Sequence, residues 1–115
     1  MGWDVRLVVI ESPFAGDVER NTRYARACLL DCYQRGEAPI ASHLLGPQVL
    51  DDNDPEQRRM GIEAGLAWAE CADASAFYID LGWSNGMKAA LTRVGTREVE
   101  YRTLAAEVME RVLKP

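Results

Sequence analysis

Four apolar, strand-like runs alternate with four helical patterns along this chain, and that order leaves few folds open. Residues 5–10 form an apolar run interrupted once, which suits a central strand covered on both faces. Residues 11–16 are a loop punctuated by Pro13 and Gly16. Asp17 caps a helix that runs to about Arg35 and stops at Gly36, with Val18, Ala25, Cys28, Leu29 and Cys32 on its buried stripe. Residues 38–42 make a short second strand. Residues 43–55 are a long connection for a small domain, and such connections are often functional. A second helix opens at Glu56 behind Pro55, places Ile62, Leu66 and Ala69 on one face with Trp68 beside them, and ends near residues 71–73. Phe77, Tyr78 and Ile79 form a third strand. Residues 80–86 are turn and cap types, and Met87, Leu91 and Val94 then recur at helical spacing. Residues 96–101 alternate like a short edge strand, and Leu104, Val108 and Val112 mark a last helix ending at residues 114–115.

Strands alternating with helices predict a parallel sheet with helices on both faces, and right-handed crossovers leave few topologies. The expected fold is a three-layer, doubly wound, flavodoxin-like domain with a four-stranded, mainly parallel sheet in the order 2-1-3-4. A chain of 115 residues makes one domain, 1–115. In this topology ligands bind at the carboxyl ends of the strands, where the strand order reverses. That crevice lies between the first and third strands, bounded by residues 11–16 and 80–86, with the 43–54 loop nearby.

Composition narrows the partners. A net charge of −5, with arginines spread rather than massed, gives no electrostatic footprint for nucleic acid. No apolar run approaches the ~20 residues of a membrane span. Residues 1–6 show no basic region followed by an apolar one, so no secretory signal is expected. Cys28, Cys32 and Cys71 are an odd set, which points to free thiols in a reducing, cytoplasmic setting. Cys28 and Cys32 share a helical face and read as small buried side chains rather than a metal or redox pair, since a structural zinc needs further ligands. Asp51, Asp52 and Asp54 lack an EF-hand pattern and read as a helix-capping acidic loop. No metal and no cofactor is expected.

Several crevice residues have chemistry to offer a ligand. Ser84, Asn85 and the Gly86 backbone can donate to phosphate or ribose, or simply cap the helix that Met87 begins to pack. Phe14 can stack on a base. Ser12, Ala15 and Gly16 shape the first loop, and Gly16 either admits a ligand to the backbone or makes a turn needing positive φ. Arg20 and Asn21 can reach a phosphate from the first helix. His43, the one histidine, sits at a strand end as a ligand contact or acid–base group. Asp80 ends a strand at the crevice and is the candidate catalytic or ribose-binding carboxylate. Trp83 beside it can stack on a base or cover an oligomer partner. Glu98 and Glu100 read as a solvent-facing edge.

Residues 12–17 (SPFAGD) with 19–21 (ERN), residues 39–45 (PIASHLL), 50–55 (LDDNDP) and 84–87 (SNGM) together resemble the nucleoside 2-deoxyribosyltransferase-like superfamily, within its small uncharacterised phage and actinobacterial branch. The resemblance implies the same fold, a nucleoside or nucleotide ligand, a homodimer or larger homo-oligomer, and a cytoplasmic bacterial or phage-infected setting. It also implies a Glu nucleophile in the helix after the third strand, attacking the sugar of an N-glycoside, and a phosphate-holding Ser six residues earlier. Ser84 matches the Ser, but the nucleophile's position is Ala90. A second, substrate-orienting carboxylate falls at Gly65, with Glu63 near. The expectation is therefore binding of a nucleoside, nucleoside monophosphate or nucleotide-derived signal, for sensing or sequestration. The alternatives are an N-glycosidic-bond hydrolase or deoxyribosyltransferase using Asp80 or a neighbouring subunit's carboxylate, and a scaffold with a vestigial pocket. Trp3, Trp68 and Trp83 are candidates for an oligomer surface.

Overall fold

A computed structural model describes residues 4–114, so Trp3 and Pro115 lie outside it. Strand β1 (Leu7–Glu11) leads into helix α1 (Val18–Gln34), strand β2 (Ala38–Ile40) and a short helix α2 (Ser42–Leu45), which continues as a 3-10 turn (Gly46–Gln48). Helix α3 (Pro55–Glu70), strand β3 (Ala74–Tyr78), helix α4 (Asn85–Leu91), strand β4 (Glu98–Arg102) and helix α5 (Ala106–Leu113) follow. The sheet is four-stranded, in the order β2-β1-β3-β4, and every pairing is parallel. This is the expected flavodoxin-like arrangement. No helix among the described residues is long and apolar enough to cross a membrane.

Local chemistry explains the helix ends. The Asp17 carboxylate accepts from the Arg20 amide at 3.1 Å, and Asp54 accepts from Glu56 and Gln57. Each satisfies N–H groups that have no partner within their helix. α1 ends at Gly36, whose φ of 78° is the left-handed conformation that glycine tolerates.

Side-chain alternation along the strands separates two layers. Val8 and Ile10 of β1 and Ala74, Ala76 and Tyr78 of β3 face α1 and α5, where they pack with Tyr24, Cys28, Cys32 and Val112. The intervening residues Val9, Glu11, Ser75 and Phe77 face the α3 and α4 layer. Cys28 and Cys32 are buried, as expected, and burial pushes both thiols up from their ordinary value.

Four expectations change. Residues 42–48, expected as a strand end and a connection, form α2 and its 3-10 turn. β3 begins at Ala74, three residues before the apolar run that marked it, because Ala74, Ser75 and Ala76 are small and fully buried rather than β-branched. Ile62 is 51% exposed although it shares a face with Leu66 and the buried Ala69. Glu100 is not simply solvent-facing: it is half-buried and pairs with Arg6 and Arg102. Glu98 is more open and pairs with Arg6.

Candidate functional site

Helices α3 and α4 do not close over their face of the sheet. Between them runs a cleft of about 760 Å3. It starts at the carboxyl ends of the strands, beside Glu11, Phe14, His43 and Asn85, and reaches the opposite edge at Glu70, Arg93 and Arg97. Gly86, Ala89 and Ala90 make a small-residue wall on α4, while on α3 Gly61, Gly65 and Ala69 alternate with the larger Ile62 and Leu66. Arg58 and Asp52 stand near the α3 entrance. Such a volume is typical of small-molecule sites, which span about 300–1,000 Å3.

The glycines of α3 have a specific cause. A Cβ at Gly65 would lie 2.7 Å from Ser42 Oγ and 3.3 Å from Ser42 Cβ. One at Gly61 would touch Leu50, as would one at Gly46. α2 and its 3-10 turn therefore sit directly against the α3 backbone, and this contact builds the cleft's outer wall. The Gly65→Glu variant is expected to lose about 1–3 kcal/mol of unfolding free energy, the usual cost of overpacking. Urea denaturation checks this, and an unchanged midpoint would mean that α2 is not seated on α3.

Of the residues singled out by sequence, the cleft brings together Phe14, His43, Asn85 and Gly86, along with Ala90 and Gly65. Ser12 is buried behind His43, with Oγ and Nε2 sharing a 2.7 Å hydrogen bond that fastens the β1–α1 loop to α2. Burial lowers the His43 imidazole to about 4, so the ring is neutral. Ser84 caps α4, its Oγ accepting from the Met87 amide at 3.1 Å, and Met87 is core. Neither lines the cleft. Gly16 turns the chain at a φ of 99°. Asn21 is buried and donates to the Phe14 and Ala15 carbonyls, so it clamps that loop, and Arg20 donates to the Asn21 side chain. Trp83 lies apart from the cleft, stacked on Phe77 at 5.3 Å and tilted against Tyr101 at 5.8 Å.

Asp80 is likewise away from the cleft. It accepts from the Tyr24 hydroxyl at 2.6 Å and from the Leu104 amide at 3.1 Å, while Tyr24 accepts from the Asp80 amide at 2.9 Å. These bonds tie the ends of β3 and β4 to α1. The alternation of β3, continued from Ala76 through Tyr78, carries Asp80 to the α1 side.

The carboxyl that does reach the cleft beside the strand ends is Glu11, which sequence reasoning placed only as the first residue of a loop. Its signal was available in the alternation with Val9 on β1. Burial raises its carboxyl to about 7, a shift opposed by the charge of Arg97. Arg97 is itself turned to Ser75, donating from Nε to Oγ at 3.4 Å. Glu11 makes no ion pair or side-chain hydrogen bond among the described residues. No group of three or more metal-ligating side chains is present among them either.

Residues 6–104 match the family described as a domain of unknown function, DUF7768. The chain belongs to that family. The match begins one residue before β1 and ends just beyond β4, so the family domain contains the whole sheet and every wall of the cleft. No curated protein matches the chain.

Proposed function

We propose that this domain binds a nucleoside, a nucleoside monophosphate or a nucleotide-derived signal in the cleft between α3 and α4. The observation that carries the reading is the cleft itself. It opens at the strand carboxyl ends where the β1–β3 order reverses, the position at which doubly wound sheets bind ligands. Its small-residue α4 wall faces the apolar Leu50, Ile62 and Leu66 and leaves room for a flat ring, Phe14 supplies an aromatic face, and Arg58, Arg93 and Arg97 supply charge for a phosphate. Binding without turnover is preferred to N-glycoside chemistry for two reasons. Ala90 and Gly65 leave no carboxylate at the two positions where the resemblance places the nucleophile and its partner, and Asp80 is engaged by Tyr24 and Leu104. Sensing or sequestration of the ligand would follow.

The test is retention. Protein is mixed with a pool of nucleosides, nucleotides and cyclic derivatives, filtered, and the filtrate compared by mass spectrometry before and after heating. One intact compound should be depleted and then recovered. Ala90→Arg, which fills the cleft from α4, should weaken its retention by about tenfold or more, the effect of losing roughly 1.4 kcal/mol. Equal retention by this folded variant would remove the cleft from the reading. Free base accumulating with time would favour a glycosidase or transferase instead.

A further inference from the structure

We infer that Glu11 is the specificity-determining residue of the cleft, its carboxyl pairing with the ligand's nucleobase through an edge that carries a hydrogen-bond donor beside an acceptor. The inference rests on the nucleotide reading above. Glu11 closes β1 and lines the cleft from the sheet side, where its partner in register is Phe77. A carboxyl held among protein walls without an ion pair is favoured in its uncharged form. That form both gives and takes a hydrogen bond, whereas a carboxylate only takes them. Arg97, the cation whose charge acts on it, is turned to Ser75. A phosphate beside Glu11 would meet an unpaired acid, while Arg58 and Arg93 offer it charge elsewhere along the cleft. Phe14, three residues on, lines the same mouth and gives a base a face to stack on. A ring edge on Glu11 and a ring face on Phe14 make one base subsite.

The experiment compares ligands that differ by one amino group. Adenosine monophosphate is titrated against purine riboside monophosphate by calorimetry, and cytidine monophosphate against the 2-pyrimidinone riboside monophosphate. In each pair the second compound keeps the ring nitrogen and loses the donor. The native protein should bind the amino compound of at least one pair about tenfold more tightly, because a site built to bond a donor discriminates strongly against its absence. Glu11→Gln should keep that preference, since an amide also gives and takes. Glu11→Ala should reduce it to about threefold or less while remaining folded by circular dichroism. Equal binding within each pair, or a preference that survives Glu11→Ala, would overturn this inference and leave the nucleotide reading standing. Failure of all four compounds to bind would overturn this inference as well, while the retention test above decides the nucleotide reading.

Discussion

Replacing Arg102 with methionine is expected to remove about 3–5 kcal/mol from the unfolding free energy, the effect of breaking a buried ion pair from one side. The Arg102 side chain is 3% exposed and reaches from the end of the edge strand β4 across the α1 face of the sheet. Nη1 and Nη2 bind both oxygens of Glu37 at 2.8 and 2.7 Å. Nε and Nη2 bind Glu100, and Nη1 reaches the Tyr78 hydroxyl at 3.1 Å and Cys32 Sγ at 3.4 Å. These bonds join β4 to β3, α1 and the start of β2, so one side chain fastens both edges of the sheet to the helix above it. Without Arg102, Glu37 keeps Arg6 as its one cation among the described residues, and its carboxyl loses the bond that chiefly holds it below its ordinary value. A domain of this size has ~5–15 kcal/mol in total, so the single variant should unfold at markedly lower urea. The double variant Arg102→Met with Glu37→Met should recover part of the loss, because apolar replacement of a whole buried pair is often close to neutral. A loss under about 1 kcal/mol in the single variant would show that the network is a surface pair in effect.

That network also marks what could be read from the chain alone. Glu37 lies 65 residues from Arg102 in sequence, and no local rule joins the two. Fold order was legible because caps, breaks and apolar runs are local: Asp17, Gly36, Asp54 and Ser84 all act at the ends they were expected to mark. On α3, Ile62, Leu66 and Ala69 do share the face toward the cleft, but apolar periodicity, which counts large side chains, misses the contact with α2. That contact is made by Gly61 and Gly65, which press against Leu50 and Ser42. The cleft's mouth was legible from topology, which found Phe14, His43, Asn85 and Gly86. The side of the sheet on which each strand-end carboxyl falls was not, since it depends on where the strand starts. With β3 beginning at Ala74, Asp80 turns to Tyr24. With β1 ending at Glu11, that carboxyl enters the cleft.

The same placement makes Glu11 a measurable liability to the empty protein. Its carboxyl moves from an ordinary 4.5 when unfolded to about 7 when folded. The folded state thus holds the extra proton between these values, and stability falls as pH rises through them. At about 1.4 kcal/mol per pH unit, the total is about 3 kcal/mol. His43 works in the opposite sense: its imidazole drops from 6.5 to about 4, so stability falls as pH is lowered through that window. Between about pH 4.5 and 6.5 the two slopes largely cancel, which conceals both in a single stability curve. Glu11→Gln separates them, because its amide does not titrate while His43 is shared. The variant should match the native protein near pH 4 and exceed it by about 3 kcal/mol at pH 8, in urea melts taken at each pH. A difference that stays flat with pH would mean that water or a neighbour already stabilises the ionised carboxylate.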